Sequence, residues 1–176
     1  MKMDIVAGSK NDEFYTPEYA VEPILKYIDN KPETVVWCPF DTNDSWFVKK
    51  IRMMGTKVIV SHIQQGQDFF LWEPEEDYDY IISNPPYSLK NEVFERLFNI
   101  GKPFAMLVGV VGLFESKKRF GLFKDNEFEI MYFDKRIAYF KDFNEQKPSL
   151  NPPFSSVYLC SKMLQQKIVF ENINKG

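Results

Sequence analysis

The sequence predicts an α/β domain, a doubly wound and mostly parallel sheet of about seven strands with an antiparallel C-terminal edge. Three observations predict it. From residue 34 to about 133, short β-type runs alternate with stretches of helical spacing. Runs such as Ala105-Met106-Leu107-Val108 are apolar without alternation, as strands covered on both faces are. The last strand-like runs follow each other with no helix between them, which favours antiparallel pairing at that end.

The elements follow in order. Residues 1–13 are polar and read as a loose segment. Pro17 suits the first turn of a helix, with Thr16 as N-cap and Glu18 near the positive end of the dipole. Tyr19, Ala20, Pro23, Ile24, Tyr27 and Ile28 carry that helix to about Asn30, with Pro23 a point of kinking. Residues 34–38 form a strand stopped by Pro39. The polar stretch 41–45 leads into a helix over 46–54, with Gly55 as its C-cap. Strands are expected over 57–61 and 79–83, the second stopped by Pro85-Pro86. Val93, Phe94, Leu97 and Ile100 share one face of a helix over 89–100, and Gly101 ends it. A very apolar strand over 104–111, a helix over 115–122, and strands over 128–133, 155–160 and 167–170 complete the pattern. Residues 14–176 are expected to be one domain with no separate target-recognition domain.

Composition narrows the class. The chain has 176 residues, 44% hydrophobic and 27% charged, with a net charge of −3. That excludes a disordered or collagen-like chain. No apolar run approaches the ~20 residues of a membrane span, and the N-terminus lacks the apolar core of a secretory signal. Cys38 and Cys160 lie far apart and make no disulfide framework, so a reducing, cytoplasmic setting is expected. One histidine and two cysteines argue against a structural zinc site, and no metal is expected. Aromatics reach 16%, with 17 Phe. A dense core accounts for most of these, although aromatics also stack on nucleobases. Residues 115–176 carry 11 basic and 8 acidic side chains, a net of +3, against −6 for the rest. This asymmetry permits a polyanion contact in the C-terminal half.

Ligands of doubly wound sheets sit beyond the carboxyl ends of the strands. The loops after Cys38, Ser61 and Ser83 are therefore the ones to inspect. The sharpest is Asn84-Pro85-Pro86-Tyr87. Two prolines hold the backbone extended and remove two N–H donors. What remains is a rim of acceptors, the Asn84 amide oxygen and the proline carbonyls, beside the Tyr87 ring. Two acceptors can hold the protons of an exocyclic amino group and aim its lone pair at an electrophile, while the ring stacks on a base. The bland alternative is a rigid strand-to-helix turn with an ordinary aromatic.

Asn84-Pro85-Pro86-Tyr87 resembles the (Asp/Asn/Ser)-Pro-Pro-(Tyr/Phe) motif of S-adenosylmethionine-dependent amino-methyltransferases. Phe14-Tyr15-Thr16-Pro17 resembles the N-terminal cofactor-binding motif of that family. Gly66-Gln67-Asp68-Phe69-Phe70 resembles the acidic-aromatic segment near the adenine of the cofactor. Lys135-Arg136-Ile137 and Pro152-Pro153-Phe154-Ser155-Ser156 resemble the distal part of the short phage-type DNA N6-adenine methyltransferases. The ordered set runs from about Phe14 to Cys160.

The resemblance implies a Rossmann-like methyltransferase fold, S-adenosylmethionine as cofactor, and methylation of an exocyclic amine, with N6 of adenine in DNA favoured. It implies Asn84, Pro85, Pro86 and Tyr87 as catalytic residues. Tyr15, Thr16, Pro17, Cys38, Pro39, Phe40, Asp41, Asp44, Ser61, His62, Asp68 and Phe69 would bind cofactor; Arg136 and Phe154 would meet substrate. The family's cofactor loop is usually acidic-Pro-Phe-x-Gly-x-Gly. Here Cys38 replaces the acid, and Thr42 and Asp44 fall at the glycines. Asp41 or Asp44 could supply the missing carboxylate for the cofactor's ammonium. Ser61-His62 stands where an acid commonly meets the ribose. Lys117, Lys118, Arg119, Lys124, Lys135 and Lys141 could bind phosphates or form a solvated basic face. Three alternatives stay open: an RNA adenine, a protein glutamine amide, or a silent nucleic-acid-binding scaffold. Oligomeric state is not readable from the sequence.

Overall fold

The computed structural model describes residues 15–140 and 154–175. The expectations for 1–14, for Lys141, for the loop over 142–151 and for Pro152-Pro153 lie outside the described residues. Helices are α1 (Glu18–Leu25), α2 (Trp46–Met53), α3 (Lys90–Ile100) and α4 (Lys117–Asp125). Strands are β1 (Val35–Cys38), β2 (Lys57–Val60), β3 (Tyr80–Ser83), β4 (Phe104–Gly109), β5 (Glu129–Phe133), β6 (Ser156–Ser161) and β7 (Ile168–Glu171).

The seven strands form one Rossmann-like sheet in the order β2-β1-β3-β4-β6-β5-β7. β2, β1, β3 and β4 run parallel, with Val36 opposite Val58 and Ile82 opposite Ala105. β6 enters antiparallel between β4 and β5. β7 closes that end, parallel to β5. Alternation in β1 sends side chains to two cores. Val36 and Cys38 pack with Ile24, Phe47 and Ile51 of α1 and α2. Val35 and Trp37 face the side of Val93, Phe94, Leu97 and Phe123, from α3 and α4. Both faces of the sheet are thus buried, as the unalternating strands require.

Two helix starts differ from expectation. α1 has Pro17 at its N-cap with no side-chain cap bond, because the Thr16 hydroxyl is engaged elsewhere, accepting from Asn84. It ends at Leu25, short of the expected Asn30, with Pro23 accommodated inside it. Single turns at Tyr27 and Ile28 finish the stretch expected to be helical. α4 starts at Lys117 rather than 115, where the Ser116 hydroxyl caps the Arg119 N–H at 3.3 Å. The residues before it turn instead, with Gly112 at φ +68°, a conformation glycine adopts without strain.

Candidate functional site

The order β2-β1-β3 means that the chain leaves β1 to one side and returns on the other. At such a switch point the loops after the strands part and leave a crevice. A cavity of about 820 Å³ lies there. Pro39, Phe40, Asp41, Thr42, Asn43 and Asp44 enter it after β1. His62, Gln64 and Gln65 enter after β2, and Asn84, Pro85 and Pro86 after β3. Tyr15, Thr16, Asp68, Phe69, Phe70 and Glu92 complete most of its wall.

Asp41 ties three of these loops together. Its Oδ1 accepts from Ser45 Oγ at 2.6 Å, and Ser45 is the N-cap of α2. Its Oδ2 accepts from Ser83 Oγ at 2.6 Å, one residue before Asn84. Its backbone N–H donates to the Ser61 carbonyl at 3.2 Å. Burial pushes this carboxyl up to about 6, against the lowering effect of the two serine bonds and of His62. The sign of its pH effect follows. The unfolded carboxyl titrates at 3.8 and the folded one at about 6, so the folded chain binds the proton more tightly. Stability from this group is full below about pH 4 and is lost as pH rises through 6. The expected loss is about 2–3 kcal/mol at 1.36 kcal/mol per unit. Asp41→Asn can keep one serine as donor and the other as acceptor. Urea midpoints between pH 4 and 7 should therefore fall for the natural chain and flatten in the variant, relative to it.

The wall after β2 carries an imidazole and two side-chain amides. His62 Nδ1 accepts the Gln64 N–H at 3.1 Å and caps a single turn over Ile63–Gln65. Gly66 ends that turn at φ +76°. Asp68 Oδ1 accepts the Phe70 N–H at 3.0 Å, and its carbonyl takes the Leu71 and Trp72 N–H groups. This turn holds Phe69 against Phe40 at 4.9 Å and Trp37 at 5.4 Å, with the Arg96 guanidinium 5.1 Å over its ring.

Asn84 Nδ2 donates to Thr16 Oγ1 at 3.1 Å, so the chain before α1 and the turn after β3 meet at the rim. Tyr87 does not line the cavity. It starts a single turn over Tyr87–Leu89, and its ring meets Phe154 edge-on at 5.1 Å and 84°. Phe154 lies against Gly109, where a Cβ would stand 3.1 Å from its Cδ2, and 6.0 Å from Tyr139. The two rings expected to stack on a base are thus neighbours, beside the cavity rather than in its wall.

Twelve of the residues expected at the site line one cavity: Tyr15, Thr16, Pro39, Phe40, Asp41, Asp44, His62, Asp68, Phe69, Asn84, Pro85 and Pro86. Others do not. Pro17 caps α1. Cys38 is fully buried in β1, and burial holds its thiol protonated. Ser61 is buried below the floor, where its Oγ accepts from Trp37 Nε1 at 2.9 Å. Arg136 is exposed on the segment after β5, away from the cavity wall. Lys118 pairs with Glu95 at 2.7 Å, and Lys135 donates to the Ile173 carbonyl at 2.9 Å. The loop over 41–45 needs no glycine. No non-glycine residue in it has positive φ, and the Ser45 N–H closes a turn on the Thr42 carbonyl at 3.0 Å. Ser83, Ser45, Gln64, Gln65 and Glu92 were not anticipated. Ser45 carried a signal, as a capping residue before an apolar helix; Ser83 and Glu92 carried none.

The sequence matches no protein-family model and no curated protein. The fold is similar to a modification subunit, from Vibrio vulnificus YJ016, assigned to a type I restriction enzyme. The TM-score is 0.54 at 12% identity, over 99% of this chain and 50% of that one. The chain thus spans about half the length of that subunit, and the likeness is one of fold.

Proposed function

We propose that the chain is an S-adenosylmethionine-dependent amino-methyltransferase acting on nucleic acid, with N6 of adenine in DNA as the favoured acceptor. One observation carries this reading. The acceptor rim Asn84-Pro85-Pro86 opens into the same switch-point cavity as the aromatic slot and the carboxylates of the neighbouring loops.

The lining suits such a cofactor. At about 820 Å³ the cavity is of ligand size, even with side chains on Thr42 and Asp44. Phe40 and Phe69 offer an apolar slot for a planar base, beside Asp68. His62, Gln64 and Gln65 offer imidazole and amide hydrogen-bonding groups for ribose hydroxyls. Both Asp41 oxygens already accept serine hydroxyls, so Asp41 braces the loop, and the exposed Asp44 meets the cationic amine. When bound, S-adenosylmethionine supplies a sulfonium methyl, which the amine takes while the C–S electron pair stays on sulfur.

The chain's own part is orientation and electrostatics. Asn84 Oδ1 and the Pro85 carbonyl accept the two amine protons and aim the nitrogen lone pair. As positive charge grows on nitrogen, both acceptors hold it more strongly. The Thr16 hydroxyl fixes the far end of the Asn84 amide. The extra N–H proton leaves to water, and no strong base is required. The nearby aromatic pair Tyr87 and Phe154 would stack on an extruded base.

Transfer of labelled methyl to single-stranded DNA, duplex DNA, RNA and protein, followed by digestion, tests this. Label in N6-methyladenine from DNA is expected. Label in RNA or in glutamine would move the substrate, and no label in any acceptor would contradict the reading.

A further inference from the structure

The exposed face of α4 combines a large apolar ring with two lysines. At 100° per residue, Lys117, Gly121 and Lys124 cluster on one side of this helix, with Phe120 beside them. Lys117 and Lys124 are exposed. Phe120 is 60% exposed although it is a large apolar side chain. Gly121 has nothing within 4 Å of the position a Cβ would take, so packing does not demand glycine there. Glycine within a helix costs about 0.5–1 kcal/mol relative to alanine, and the fold gains nothing visible from it. What it does leave is a bare patch of backbone beside the two lysines, on the side away from Phe120. Asp125 stands at the edge of the face, about 80° round the helix from Lys117. It lies toward Lys118, which is already paired with Glu95.

The helix behind this face is fastened to α3, which begins shortly after the acceptor turn. Arg119, on the opposite side of α4, donates through Nη1 to Asn91 Oδ1 at 2.8 Å. Its Nε and Nη2 hold the Leu113 and Gly112 carbonyls, each at 2.8 Å. Ser116 Oγ reaches the same Asn91 oxygen at 3.2 Å. Asn91 lies in the first turn of α3, which follows directly on Tyr87–Leu89 and the Asn84-Pro85-Pro86 rim. Arg119 is thus a brace rather than a phosphate ligand, and it ties α4 to the first turn of α3.

We infer that the Lys117–Phe120–Gly121–Lys124 face of α4 is a track for a nucleic-acid strand, with phosphates on the two lysines and a base on Phe120. The inference rests on the function proposed above and names where its substrate lies. Lys117 and Lys124 stand about 10 Å apart along the axis, with Phe120 between them in height. An aromatic ring between cations is how single strands are held without sequence readout.

The test is anisotropy with a fluorescent single-stranded DNA 20-mer and its duplex, over a range of salt. It uses Phe120→Ala, the Lys117→Ala/Lys124→Ala pair, and Lys118→Ala as a control. Phe120→Ala should weaken single-strand binding about tenfold. The lysine pair should reduce the salt slope by about 1.4, at 0.7 per phosphate contact. Lys118→Ala should change little. Wild-type affinity in the first two variants overturns the track. So does a wild-type chain that binds no oligonucleotide. Cofactor titration of the same preparations separates the two readings. Heat on adding S-adenosylmethionine keeps the cavity assignment standing while the track falls, and no heat removes both.

Discussion

Asn84→Ala should lower the rate of methyl transfer about 100- to 1,000-fold, the usual effect of losing one aimed polar group at a reacting centre. The expectation comes from where the amide sits. Its nitrogen donates to Thr16 and its position at the rim faces the cavity, so alanine removes both the acceptor and the group that held it in place. Cofactor affinity should change only a few-fold, because the slot at Phe40 and Phe69 lies on other loops. The fold should lose about 1 kcal/mol for the Thr16 bond. Rate and affinity therefore separate: the variant should bind cofactor, hold its melting temperature within a few degrees, and fail in turnover. Asn84→Asp keeps an oxygen acceptor and should retain more activity than alanine. Single-turnover transfer set beside titration of each variant checks this, and a parallel loss of affinity and rate would point to a collapsed loop instead.

Phe69→Ala should cost about 3–5 kcal/mol of stability. The ring is 2% exposed and touches Trp37, Phe40 and Phe70, with Arg96 over its face. Removing it opens a void at the floor of the slot and leaves the half-buried Arg96 guanidinium without its aromatic partner. Cofactor affinity should fall with it. Phe69→Leu refills most of the volume, so it should recover much of the stability. It should recover less of the affinity, because a leucine offers no flat face to a base. Urea denaturation and calorimetric titration of the two variants separate packing from stacking.

Local features of this chain were readable from its residues. Pro39, Gly55, Pro85 and Gly101 punctuate the pattern, and the strands and helices between them lie within one or two residues of expectation. Contacts between distant residues were not readable. Thr16 looks like a helix cap because nothing in the local sequence reveals Asn84, 68 residues on. Asp41 looks like a loop acid because Ser83 is 42 residues away. The insertion of β6 between β4 and β5 depends on pairing across a long connection, which periodicity does not encode. The loop over 41–45 looks damaged beside a glycine-rich pattern. Backbone angles at negative φ make the glycines unnecessary for its turn. Of the site, the acceptor rim and the aromatic slot were legible, since prolines and a strand end mark them. The direction of the Tyr87 ring, toward Phe154 and away from the cavity, was not.

The most direct measurement is calorimetric titration of the natural chain with S-adenosylmethionine and S-adenosylhomocysteine. The account predicts one-to-one, micromolar binding of both, retained in Asn84→Ala. No heat and no thermal shift at millimolar cofactor would contradict it, and would leave a methyltransferase-like scaffold without a cofactor site.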